Sequence, residues 1–298
     1  MTMRLSIITP SFNQGRYIER TIQSVLSQDF RNTEYVVMDG GSTDETLSIL
    51  KKYEPRLRWV SEKDKGQAHA VNKGICATSG EIIGWLNSDD IYYPGAVRET
   101  LSFFTAHPEV DVLYGDAHHI DENDRLIEPY PTEAWNLDRL KETCFISQPA
   151  VFFRRRVVER FGLLDETLNY CMDYEFWLRL AYRGIKFAYL PKTVAATRLY
   201  SETKTLGARV QVHREINDMM RTKFGKVPDR WLFNYAHIRL EKMGLNRSNR
   251  WLFIPVLIAM TSYYALRWNR NISLSMASSM WKWLIHACRQ LFNQVPAS

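Results

Sequence analysis

Residues 5–13, Leu-Ser-Ile-Ile-Thr-Pro-Ser-Phe-Asn, form an apolar run of strand length that breaks off in a polar, turn-forming cluster. A helical pattern follows, with Ile18, Ile22, Val25 and Leu26 on one face. The same alternation recurs down the chain. Tyr35–Met38 leads into a helix through Thr46, Leu47 and Leu50, and Leu57–Val60 into one at Ala68–Ala77. Ile82–Leu86 leads into a helix starting near Pro94, a residue suited to a first helical turn, and Val110–Tyr114 is a fifth run. Short apolar runs separated by amphipathic helices predict βαβ units, hence an α/β fold with a mostly parallel sheet. After Gly115 the pattern loosens. Turns are expected at Asp121–Asp124 and Pro129–Pro131, a strand at Ala150–Phe153, helices near Arg155–Phe161 and Asp173–Arg183, and a last strand over 185–190. Gly184 is a helix stop.

With 298 residues, 45% of them hydrophobic and 13% aromatic, the chain can build one large α/β domain plus an appendage. Cys76, Cys144, Cys171 and Cys288 show no C-x-x-C spacing, which argues against a disulfide framework or a thiolate zinc site. No basic segment followed by an apolar one opens the sequence, so a cytoplasmic location is expected. The formal charge of +6 is unevenly spread. From Arg230 onward nine Lys/Arg face one acid, Glu241, giving +8 and leaving −2 for residues 1–229. The basic residues of the tail form no recognisable nucleic-acid module, and no such partner is expected.

Polar clusters sit at the carboxyl ends of successive predicted strands: Thr9-Pro10-Ser11-Phe12-Asn13, Asp39–Asp44, Ser61–Gly66 and Asn87-Ser88-Asp89-Asp90. Open parallel sheets bind ligands outside those ends, so the four clusters predict one site. It is not a dinucleotide fingerprint or a P-loop, because neither glycine spacing is present. Adjacent carboxylates such as Asp89 and Asp90 repel unless a cation or strong hydrogen bonds compensate. Mg²⁺ or Mn²⁺ favours one or two carboxylates plus phosphate oxygens, while the alternative is a turn leading into the next helix.

Thr-Pro-Ser-Phe-Asn at 9–13, Met-Asp-Gly-Gly-Ser-Thr-Asp at 38–44, Asp-Lys-Gly-Gln-Ala at 64–68 with Asn72-Lys73-Gly74, and Trp-Leu-Asn-Ser-Asp-Asp at 85–90 together resemble glycosyltransferase family 2. The resemblance runs over about residues 4–205 and implies the Rossmann-like GT-A fold and inverting sugar transfer from a nucleotide-sugar, a UDP-sugar foremost. It implies a GT-A domain over 1–225, with a nucleotide-sugar half to about 115 and an acceptor half over 116–225; residues 226–298 are then a helical extension. Implied donor contacts are Thr9, Pro10, Ser11, Asn13, Asp39, Asp64, Gly66, Asn72, Asn87 and Asp89. Asp90 would bind a divalent cation, Mn²⁺ or Mg²⁺, with Asp89 near the ribose or in the metal shell. Asp173, ahead of Phe176-Trp177-Leu178, would be the general base; as bare sequence it reads first as a helix N-cap, and only the resemblance lifts the base reading above that. Gln148-Pro149 would belong to the acceptor side.

Three positions depart from the family pattern. Gly40 stands where many members carry a second acid, Met172 replaces an acid before the base, and Tyr200 stands where relatives often have His. The expected acceptor is a glycan or lipid-linked hydroxyl. A processive synthase is disfavoured because Tyr264 stands where such enzymes need Gln three positions before Arg267. The alternatives are a sugar-nucleotide pyrophosphorylase-like enzyme and a non-catalytic nucleotide-sugar-binding module. In the tail, Trp251–Leu266 is uncharged but shorter than the roughly 20 residues a span requires. It is expected either to lie at the inner face of the cytoplasmic membrane or to pack as a core helix.

Overall fold

The computed structural model describes residues 3–28, 32–201, 207–245 and 250–292. Arg247, counted with the basic tail, lies outside them. The chain divides into two compact units, residues 1–140 with 144–201, and residues 141–143 with 202–298. The helix over residues 209–224, which the sequence reading puts in the 1–225 domain, clusters with the helices that follow it.

In the first unit the predicted alternation appears as β1 (Leu5–Ser11), α1 (Ile18–Leu26), β2 (Thr33–Asp39), α2 (Thr46–Lys52), β3 (Arg58–Ser61), α3 (Gln67–Cys76) and β4 (Ile82–Trp85). Then come β5 (Ile91–Tyr92), α4 (Ala96–Ala106), β6 (Val112–Ile120), β7 (Leu126–Pro129) and α5 (Leu137–Glu142). A 3₁₀ turn at Gln148–Ala150 leads into β8 (Val151–Arg154), α6 (Arg155–Phe161), α7 (Met172–Tyr182) and β9 (Phe187–Arg198). The sheet order is β3-β2-β1-β4-β8-β6-β9-β5, with β7 on β6.

The block β3-β2-β1-β4 is parallel, as the βαβ pattern requires. Every residue of β1 is buried, because helices cover both faces of a central parallel strand. Beyond β4 the sheet is mixed. β8 runs antiparallel to both β4 and β6, and β9 runs parallel to β6 but antiparallel to β5. A turn was the only expectation for 121–131, yet β6 and β7 pair across it as a hairpin. The helix expected from Pro94 begins at Ala96, since Gly95 takes a left-handed φ of 87°.

α3 packs onto β1 and β2 through Gly74, where a methyl group would overlap Ile8 and approach Met38 Cγ to 3.2 Å. Glycine here is a packing requirement that sets how closely the helix lies on the strands whose ends form the site.

The second unit contains α8 (Arg209–Phe224), α9 (Asp229–Lys242), α10 (Arg250–Asn269) and α11 (Leu274–Phe292). α10 buries Phe253, Leu257, Thr261, Tyr264, Ala265 and Trp268, a helical stripe typical of a core helix. Trp268 Nε1 donates to Asp218 at 2.8 Å, and the Asn269 side chain bridges N and O of Val227 at 2.9 and 2.8 Å. Among the described residues no helix is long and apolar enough to cross a membrane.

Gly74→Ala is expected to lower unfolding stability by about 1–3 kcal/mol through overpacking against β1. A reduced urea midpoint with unchanged m-value checks it.

Candidate active site at the carboxyl edge of the sheet

The loops after β1 and β2 are knitted together. Asn13, at φ 51°, accepts from Thr43 N at 2.9 Å, while its own N–H donates to Ser42 Oγ at 2.7 Å. Gly15 N donates to Asp44 at 2.8 Å. Asp39 is buried, and its carboxylate accepts from Gly41 N, Ser42 N, Ser42 Oγ and Ser61 Oγ at 2.5–3.0 Å. The sequence reading makes Asp39 a donor contact; the structure spends both its oxygens on shaping the loop at 40–42. Thr9, likewise expected at the donor, has its side chain engaged inside the protein. It is buried, with its hydroxyl 3.2 Å from Tyr35 Oη inside the sheet. Pro10 and Ser11 complete the buried strand, and Ser11 O accepts from Gly40 N at 2.8 Å. Phe12, passed over in the sequence, exposes 59% of its surface between them and Asn13.

Gly40 and Asp64 form a pair. A methyl group on Gly40 would come within 2.8 Å of Asp64 Oδ2, so the carboxylate occupies the space a side chain there would need. Asp64 Oδ1 accepts from Gly66 N at 2.8 Å, and Gly66 has a φ of 116° that an L side chain would strain. Asn72, named as a donor contact, faces elsewhere. Its amide exchanges hydrogen bonds with Leu164 N and O and reaches Glu166, all within 2.9–3.0 Å, so it ties α3 to the 164–166 segment.

At the end of β4, Asn87 is a hub. Its Oδ1 accepts from Gln67 at 2.7 Å and Trp85 Nε1 at 2.9 Å; its Nδ2 donates to Asp90 at 3.1 Å and Gln148 at 2.9 Å. Gln148 closes the ring by donating to Trp85 O at 2.6 Å. The sequence reading gives Asp90 the cation, but Asp90 is buried, and its two oxygens accept from Arg198 N at 3.0 Å and from Asn87. Burial, and then the neighbouring charge of Asp89, pushes the Asp90 carboxyl well above the usual carboxylate range. Asp89 is the more exposed of the pair, and its Oδ2 accepts from Tyr200 Oη at 2.9 Å.

Arg198, last residue of β9, holds this loop from behind. Its side chain is fully buried. Nε donates to Asp89 O at 2.9 Å, one terminal nitrogen donates to Asp121 O at 2.7 Å, and the other pairs with Asp124 at 2.5 Å. Its guanidinium also lies 4.9 Å from the centre of the Tyr17 ring, which is itself 4.9 Å from the Tyr200 ring. Arg198 and Gln148 come from the half of the chain where periodicity fades, and no local pattern marks them.

Asp173 lies in the first turn of α7, half-buried, with Cys171 as the N-cap, so the capping alternative does not hold. It stands within electrostatic range of Cys144 and Tyr130; burial first, and then its charge, raises the Cys144 thiol. Tyr130 Oη donates to Cys144 O at 3.0 Å. Glu175, one position beyond the intervening Tyr174, is buried against Arg179 at 3.0 Å and is structural.

Among the described residues no three His, Cys, Asp or Glu side chains gather into a metal cage. The half-buried Asp89 carboxylate fits the alternative, a site completed by substrate oxygens.

A parallel block with polar loops on its carboxyl edge, extended by a mixed sheet that contributes Gln148 and Arg198, defines a nucleotide-sugar transferase fold. The model of the family described as "Glycosyl transferase family 2" matches residues 6–162, and the chain belongs to that family. An uncharacterized glycosyltransferase of Rickettsia prowazekii is 29% identical over 188 residues, 59% of this chain and 58% of that protein. The chain thus spans less than two thirds of that relative. Chondroitin synthase of Escherichia coli is 30% identical over 208 residues, 68% of this chain but 30% of the synthase. Among solved structures, S. aureus TarS 1–349 in complex with UDP-GlcNAc superposes with a TM-score of 0.61 at 20% identity, covering 89% of this chain and 82% of that one. The mannosyltransferase PcManGT from Pyrobaculum calidifontis, in complex with GDP-Man and Mn²⁺, gives 0.60 at 19% identity, covering 99% and 88%. The fold is the GT-A fold of these transferases.

Arg198→Met would leave the carbonyls of Asp89 and Asp121 without their buried donor and Asp124 with Arg20. A loss of about 2–4 kcal/mol in unfolding free energy is expected. Chemical denaturation measures it.

Proposed function

We propose that the chain is a non-processive inverting glycosyltransferase. It moves a hexosyl or N-acetylhexosaminyl group from a nucleoside-diphosphate sugar to a hydroxyl of a glycan or lipid-linked acceptor. The observation that carries the reading is the locked loop after β4, which sets Asp89 beside a buried, fully bonded Asp90 in a family 2 chain.

In this reading Phe12 stacks on the base, and Asp64, seated against Gly40, supplies the carboxylate that the family's second acid would give. Asp89, not Asp90, holds the divalent cation together with donor phosphate oxygens. That cation, Mn²⁺ or Mg²⁺, supplies positive charge against the leaving diphosphate. Asp173 accepts the acceptor hydroxyl's proton as that oxygen bonds the anomeric carbon from the face opposite the diphosphate. The anomeric C–O bond breaks, and its electron pair stays on the phosphate oxygen. Tyr200, donating to Asp89, orients the carboxylate where relatives often place a His.

Calorimetric titration with UDP, GDP, dTDP and CDP, with and without Mn²⁺, tests the donor site. One nucleotide should bind with metal dependence, and Asp89→Ala should abolish that dependence. Asp173→Asn should keep nucleotide affinity and lower turnover by about 10²–10⁴-fold, the usual worth of a general base. Metal-independent or absent binding would remove the catalytic reading and leave the fold. Phe12→Ala should weaken binding of the preferred nucleoside diphosphate by about 10-fold, in line with the loss of one base–aromatic stack. Phosphate alone should bind both proteins equally.

A further inference from the structure

The second unit carries a surface that sugar transfer does not use. After Glu241 the sequence contains no acidic residue, while Lys242, Arg247, Arg250, Arg267, Arg270, Lys282 and Arg289 are basic. The same stretch exposes large apolar side chains. Leu274 is 90% exposed, Trp281 63% and Leu266 53%, with Ile272 also exposed.

These residues belong to one helical hairpin. α10 and α11 pack against each other, and Ser262 Oγ lies 3.7 Å from Met280 Sδ. Their shared inner face buries Tyr264, Trp268, Met276 and Met280. The chain turns at residues 270–273, where Ser273 Oγ accepts from Met276 N at 2.9 Å and donates to Asp229. With the inner face filled, Leu266, Ile272 and Leu274 flank the turn on the outside. Trp281 follows Leu274 by two helical turns, on the same side of α11. Arg267, Arg270 and Lys282 are exposed among them.

We propose that this face docks on an anionic phospholipid bilayer. Leucine and tryptophan on an exposed helical face, edged by long basic side chains in a hairpin whose own sequence holds no acid, suit the headgroup–acyl boundary. Each Arg or Lys near the surface gains from the negative leaflet potential. A second copy of the chain fits poorly: an isologous contact would bring Arg267, Arg270 and Lys282 of both copies into one interface with no acid of the hairpin to offset them. The hairpin lies on the surface and does not span it, consistent with the absence of a spanning helix among the described residues.

The test is co-sedimentation of the full chain with vesicles of phosphatidylcholine alone or mixed with phosphatidylglycerol, without nucleotide. Binding to the mixed vesicles that weakens in high salt is expected. Arg267→Gln/Arg270→Gln/Lys282→Gln should lower partitioning about 100-fold, and Leu274→Glu/Trp281→Glu at least about 10-fold. All five side chains are exposed, so thermal unfolding should be unchanged. Asp89→Ala should still bind vesicles, which separates this result from the fate of the transferase reading. No vesicle binding, binding indifferent to both variants, or self-association in sedimentation velocity that Leu274→Glu/Trp281→Glu abolishes would each overturn the proposal.

Discussion

The carboxyl edge of this sheet depends on burying two ionisable side chains, Arg198 and Asp90, behind the loop after β4. Arg198 and Asp90 are 1% and 2% exposed, and neither could leave water without compensation. The compensation is specific. Asp90 takes the backbone N–H of Arg198 and the amide of Asn87, while the Arg198 guanidinium is spent on Asp89 O, Asp121 O and Asp124. β9 must therefore arrive beside β6 with its last residue at Ile120, as its register shows. The β6–β7 hairpin must turn so that Asp121 and Asp124 meet the guanidinium. Asp89 then has its backbone fixed from behind, while its half-buried carboxylate accepts from Tyr200 Oη.

The acids of the edge differ in exposure and in what they accept. Asp39 and Asp44 accept backbone N–H groups from the loops they shape, and Asp90 accepts from a strand end. Asp64 and Asp89 are half-buried and lie where loops from separate strands converge. Asp64 and Asp89 also accept hydrogen bonds, from Gly66 N and from Tyr200 Oη, so exposure is what separates them from the buried Asp39 and Asp90.

The parallel block was legible because its strands and helices repeat two clean periods, and each strand is bounded by turn residues. β5 has two residues and β7 four, too short for any period to register. The insertion of β8 between β4 and β6 is a long-range choice that no local pattern carries. Within the site, the clusters were legible but not every role. Thr9 pairs with Val37, and its hydroxyl lies against Tyr35, so the alternation of the strand turns it inward. Asn72 sits on the right helix but uses its amide on residues 164–166. Asp89 and Asp90 are neighbours in the sequence with opposite environments, which only the arrival of β9 distinguishes. Arg198 went unmarked for the same reason, and Gln148 was placed only by the family resemblance.

The network also bears on how such a site would work. Asn87 joins β4, α3 and the Gln148 turn through four hydrogen bonds, and Arg198 joins β9 to the β6–β7 hairpin. Moving the proposed cation ligand would mean breaking several buried bonds at once, each costly to leave unmade. The loop after β4 is thus held before any ligand arrives, and a group held in advance stabilises developing charge without reorganisation at the moment of reaction. Phe12 and Asn13 differ. They are exposed on a loop held to its neighbour by Ser42 and Thr43. In the proposed reading the exposed Phe12 ring would meet the base, while the end of β4 would hold the cation ligand in place.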